Sequence, residues 1–307
     1  MATDQGEGSG KPQDIELWSN RRLIHPLSRR LAAALSRTPV TPNMVSVAGA
    51  GAAAMAAAAY AGLPYPWSVA AGFLAHAAWH VLDGADGELA RRTGRSSPTG
   101  ELVDGLCDYA GQAILYTGLA AVLAATLGAW AWPLALTSGL ARAVQANSYE
   151  SRRREYQYWG YGGSWIRQTL SDDARSPRGG LAALGRLYLA VSATVAPTDP
   201  ALRAALDASL AAGGETASRT RALYRSHQRR AIAAAAPLSA NARTLALALS
   251  MALGSPLYYF AYETVGLTLL LVWSLRVQRQ ADAAVLEALA SRRDGSASGE
   301  ALRMVGV

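Results

Sequence analysis

Two long apolar runs, Trp67 to Leu82 and Leu115 to Leu127, flank a segment that carries four aspartates. The segment runs from Asp83 to Asp108 and reads DGADGELARRTGRSSPTGELVDGLCD. Residues three or four apart share one face of a helix, so Asp83 projects with Asp86, and Asp104 with Asp108. Gly94 to Pro98 and Gly100 break the chain between the two pairs. Two helices joined by a short turn would bring four carboxylates to one place. An aspartate on a membrane helix costs roughly 2.5–3.5 kcal/mol at the bilayer centre. Clustered carboxylates also repel one another and partly protonate when left alone. A divalent cation relieves both costs. Oxygen-only ligands suit Mg²⁺, Mn²⁺ or Ca²⁺ rather than Zn²⁺, and Mg²⁺ is usually held by carboxylates together with substrate phosphates. Arg91 stands beside the acids and offers a planar positive fork for a phosphate.

Composition supports a membrane setting. Of 307 residues, 51% are hydrophobic and only 17% charged, with several runs near spanning length. The net charge is +7, and Lys11 is the only lysine, so arginine carries the excess. A basic excess fits nucleic acid or anionic lipid; beside this many apolar runs it fits lipid, and no nucleic-acid partner is expected. A single cysteine, Cys107, excludes an intrachain disulfide. The N-terminus opens with polar MATDQGEGSG and lacks the apolar core of a secretory signal.

The expected fold is an all-α integral membrane protein with six transmembrane helices, preceded by an N-terminal amphipathic interfacial helix. Residues 1–14 read as a disordered tail. Residues 15–40 read as a juxtamembrane helix bent at Pro26, where apolar residues alternate with Arg21, Arg22, Arg29, Arg30 and Arg37. Residues 41–154 hold spans one to four. Thr41 is a natural N-cap and Pro42 suits the first helical position. His76 and His80 share a helix face and read as polar packing below the acids rather than a metal pair. Residues 155–236 form an Arg-rich cytoplasmic or interfacial insert, with Leu181 to Ala196 a possible helix. Residues 237–275 hold spans five and six, and 276–307 a cytoplasmic tail. The turns near Gly62, Gly128 and Pro256 carry no arginine, whereas the arginines cluster at the other ends of the spans. The positive-inside rule then puts both termini and the acids on the cytoplasmic side, in a bacterial inner membrane.

The spacing Asp83, Asp86-Gly87, Ala90-Arg91, Gly100, Asp104, Asp108 resembles the signature of the CDP-alcohol phosphotransferase (phosphatidyltransferase) family, with all eight fixed positions kept. The resemblance covers Thr41 to Arg154 well. It implies Mg²⁺ or Mn²⁺, two ions, held by Asp83, Asp86, Asp104 and Asp108. It implies Asp108 as general base, and a nucleotide site formed by Thr41, Pro42, Asn43, Met44, Gly87, Ala90, Arg91, Ser97 and Gly100. It implies transfer of a phosphatidyl group from a CDP-linked lipid such as CDP-diacylglycerol to an alcohol or alcohol phosphate, with release of CMP. Ser148, Arg152 and Arg153 fall where many members hold an acceptor phosphate, though Arg152 and Arg153 equally fit positive-inside anchoring. Family members are commonly homodimers.

Two other readings use the same acids. Intramembrane prenyltransferases also hold a diphosphate through Mg²⁺ and aspartates, but on motifs far apart on a larger bundle. A divalent-cation transporter would favour acids at mid-membrane on several spans.

Overall fold

The computed structural model describes residues 14–162 and 199–305; the expected helix over 181–196 lies outside them. Every regular element among the described residues is helical. A π-turn at Asn20–Ile24 leads into α1 (His25–Leu35), followed by α2 (Pro42–Gly62), α3 (Trp67–Arg92), α4 (Pro98–Leu127) and α5 (Ala131–Tyr161). After the undescribed stretch come α6 (Pro200–Ala211), α7 (Gly214–Ala234), α8 (Ala240–Ala252) and α9 (Leu257–Ala261). A π-turn at Tyr262–Gly266 joins α9 to α10 (Leu267–Val305) without a break.

Among the described residues, three stretches are long and apolar enough to cross a membrane: Pro42–Gly62, Thr99–Tyr161 and Leu257–Ser291. The second contains α4 and α5, which pack on one another across the turn at Gly128–Trp130. Helix α3 has 26 residues, its apolar run interrupted by His76 and His80 before the acids, and α8 has 13 residues.

Helix starts follow the sequence closely. Thr41 caps α2 by accepting the Met44 N–H at 3.3 Å, and Ser97 caps α4 by accepting the Gly100 N–H at 3.0 Å. Each is followed by proline at the first helical position. Gly94 closes α3: its φ of +66° lets the Arg95 N–H reach back to the Ala90 carbonyl at 2.9 Å.

Helix α2 is the centre of the N-terminal half and packs along both α3 and α4. Small residues at the contacts allow that approach. A Cβ on Gly118 of α4 would sit 2.9 Å from the Ala57 Cβ, and one on Gly72 of α3 would sit 2.5 Å from the Tyr60 ring. Apolar residues of α2, α4, α5, α8 and α9 form one core, including Ala56, Leu115, Leu119, Leu247 and Phe260. A second core joins the end of α5 to α6, α7 and α10 through Tyr156, Trp159, Leu202, Leu206, Tyr224 and Leu289. Much of the insert is therefore a helical layer packed on the bundle. Helix α1 lies against α3: Ala32 packs with Ala85 and Leu89, and the Ser28 hydroxyl donates to the Val81 carbonyl at 2.8 Å. Its arginines, Arg29 and Arg30, are exposed.

Two boundaries differ from the sequence pattern. Helix α5 continues beyond Arg154 to Tyr161, because Glu150 pairs with Arg153 and Arg154 along the helix and Tyr156 and Trp159 bury in the second core. Helix α10 continues through the Gly- and Ser-containing tail, where no proline interrupts it.

Candidate metal and nucleotide site

Helix α3 presents Asp83 and Asp86 near its end, and α4 presents Asp104 and Asp108 in its first turns. Asp83, Asp104 and Asp108 each offer one carboxylate oxygen, and the three oxygens lie within 4.8 Å of one another. Asp83 and Asp108 are in direct side-chain contact. Asp104 faces Asp86, Asp108 and Glu101 as well, so negative charge converges from both helices.

Asp86 stands slightly apart from that trio. It is buried, and its carboxylate touches Asp104. Its Oδ2 accepts the Ser46 hydroxyl of α2 at 2.7 Å, and its Oδ1 accepts the Gly87 N–H. Asp108 is held across the helix pair too: its Oδ1 accepts the Trp79 Nε1–H at 3.0 Å. Neither Ser46 nor Trp79 carries a local sequence signal for this role. Both contacts join helices that are distant along the chain.

The donor set fits a hard divalent cation. It consists of carboxylate oxygens from two helices, half-buried at Asp104 and Asp108, close enough to share an ion and with no softer ligand among them. His76 and His80 lie deeper, stacked 5.7 Å apart, and both bond the Thr244 hydroxyl of α8, His80 at 2.7 Å and His76 at 3.4 Å. The sole cysteine, Cys107, is a free, partly buried thiol.

The residues expected to line a nucleotide gather at the same end. Gly100 lies beside Ser97 and Asn43: a Cβ there would be 3.2 Å from the Ser97 hydroxyl and 3.8 Å from Asn43 Oδ1. The starts of α2 and α4 are therefore adjacent. Thr41 and Ser97 have their side-chain oxygens committed as helix caps. Met44 is exposed. The Arg91 guanidinium lies close to Gly87: a Cβ there would be in ordinary contact with Arg91 Nη1, at 3.5 Å. Arg91 is exposed, bonds Glu88 at 3.0 Å and lies within electrostatic reach of Asp86. Ala90, a turn after Asp86 on α3, is half-buried.

The three residues on α5 have different surroundings. Arg153 bonds Glu150 at 2.9 Å and lies over the Tyr149 ring. Ser148 and Arg152 are buried, and the Ser148 hydroxyl and Arg152 Nε and Nη1 meet no hydrogen-bond partner among the described residues. Below them, Glu263 is buried between two arginines. Arg243 bonds it directly and Arg142 lies 3.8 Å away, while Tyr116, Tyr259 and Ser138 also donate to it. Nothing in the acidic motif foretells this cluster. The available signal was a lone charge in each of three apolar runs, which calls for a partner.

The family model for CDP-alcohol phosphatidyltransferase matches residues 39–196, just over half of the chain. No curated protein matches it.

Proposed function

The chain belongs to the CDP-alcohol phosphatidyltransferase family, and from that premise we propose that it transfers a phosphatidyl group from CDP-diacylglycerol, or a similar CDP-linked lipid, to a hydroxyl acceptor. The observation that carries this reading is the convergence of Asp83, Asp104 and Asp108 at one end of two helices, beside the starts of α2 and α4. Those carboxylates, with Asp86, would hold Mg²⁺ or Mn²⁺. When bound, a pair of such ions neutralises a diphosphate and stabilises the departing oxygen of CMP.

The chain's own residues do the rest. Asn43, Gly87, Ala90 and Gly100 leave room for the nucleotide, and Arg91 pairs with its phosphate after leaving Glu88. Asp108 takes the proton of the acceptor hydroxyl as its oxygen attacks the lipid-side phosphorus. The P–O bond to CMP breaks, and CMP leaves with the electron pair. Ser148 and Arg152 serve the acceptor side, since buried polar atoms without protein partners suit a polar, phosphate-bearing headgroup. Arg153 anchors the helix end through Glu150.

In this reading α2, α3, α4, α5, α8 and the α9–α10 helix make six passes, α1 lies in the interface, and the arginine-rich ends and both termini face the cytoplasm of a bacterial cell. A cation-conducting path is less favoured, because the deep acid Glu263 is tied to Arg243 and three hydroxyls rather than left for an ion.

The test is CMP formation from labelled CDP-diacylglycerol by the purified full chain in detergent, with Mg²⁺ and a panel of acceptors. The reading expects acceptor-dependent CMP and a labelled phospholipid product. No CMP with any acceptor, or CMP without transfer, would overturn it.

A further inference from the structure

We propose that Trp79 is a positioning residue for Asp108, holding one of its oxygens aside so that the carboxylate engages a cation through the other alone. The inference rests on the transfer reading, in which Asp108 must both sit at an ion and accept a proton. A carboxylate bound to a cation through both oxygens is a weak base. Here the indole Nε1–H takes one lone pair of Oδ1 at 3.0 Å, which makes Oδ2 the better oxygen for an ion.

The choice of donor matters. Indole N–H donates and cannot accept, and it carries no charge. A lysine or arginine at this position would compete with the ion. The indole is also fixed from several sides. Trp79 is buried, one turn before Asp83 on α3. On the α2 side the ring packs beside Gly49, where a Cβ would be in contact with Trp79 Cδ1 at 3.5 Å. His80 packs on it at 4.6 Å between ring centroids and His76 at 5.6 Å. Both histidines are pinned by Thr244 of α8. The C-terminal half thereby buttresses a ring whose one polar atom reaches the acid on α4.

The experiment uses the purified full chain in detergent and two variants. Trp79→Phe removes the N–H. Incorporation of benzothienylalanine at position 79 keeps the indole shape and replaces the N–H with sulfur, which protects the test if the smaller ring fails to fold. Mn²⁺ binding is read by electron paramagnetic resonance titration, and kcat and KM from CMP release. Both variants are expected to bind Mn²⁺ severalfold more tightly, because the freed oxygen turns to the ion. They are expected to lose about tenfold in kcat, the scale of a hydrogen bond to a charged group, with KM for CDP-diacylglycerol within twofold. A merely structural role would weaken Mn²⁺ binding and activity together. Unchanged kcat, or Mn²⁺ affinity equal to or below wild type, overturns the proposal. If wild type releases no CMP, the transfer reading fails, and the Mn²⁺ titration still decides what Trp79 does to Asp108.

Discussion

Asp86 and Asp108 share a motif and differ in their bonds. Asp86 is buried, with Ser46 and the Gly87 amide on its oxygens, whereas Asp108 has one oxygen on an indole and contacts Asp83. Asp108→Asn should retain CDP-lipid binding, measured with labelled lipid, and lose CMP release by at least about 10²–10⁴-fold, the usual contribution of a general base. Ser46→Ala leaves a buried carboxylate one donor short and should cost about 1–3 kcal/mol, read as a lower unfolding temperature that added Mg²⁺ partly restores. Arg91 is exposed and bridged to Glu88, an interaction worth about 0–1 kcal/mol. Glu88→Gln should therefore lower KM for the CDP-lipid by no more than about fivefold. The acids themselves were legible, because helix periodicity puts residues three and four apart together. Ser46 and Trp79 were not: their partners lie 40 and 29 residues away, and local spacing says nothing of which helices touch.

At the scale of elements, α2 packs closely through what its neighbours lack. Tyr60 fills the space over Gly72, and Ala57 that over Gly118. Gly72→Ala would drive a Cβ to 2.5 Å from a buried ring. It should cost about 1–3 kcal/mol by overpacking, seen as a lower midpoint in thermal unfolding in detergent, while substitution at the open Gly51 should change little. Where helices start was readable in Thr41-Pro42 and Ser97-Pro98, since capping is a local bargain between a hydroxyl and a free amide. Where α5 stops was not readable. The Glu150–Arg153 and Glu150–Arg154 pairs are local, but the burial of Tyr156 and Trp159 depends on α6 and α7, which the sequence around Arg154 does not announce.

At the scale of the molecule, Glu263 joins the two halves of the chain. It draws Tyr116 of α4, Ser138 of α5 and Arg243 of α8 to the π-turn before α10. Gln145 of α5 completes the arrangement, bonding Arg243 at 2.9 Å. Glu263→Gln would leave Arg243 and Arg142 buried without their acid. Breaking such a pair costs about 3–5 kcal/mol, so the variant should unfold or aggregate on extraction, and rising salt should not mimic the effect because the pair is shielded from solvent. The catalytic half was legible as a plan of apolar runs and acids. The brace was not, because a lone charge in an apolar run states the need for a partner without naming it. Helix α3 is one unbroken rod from Trp67 to Arg92. Lengthening it by a single alanine between Leu82 and Asp83 would rotate everything beyond by about 100° relative to the indole, while deleting no functional group. The count of residues between ring and acids thus matters as much as the residues themselves, and a frame-preserving insertion there does what no single replacement can.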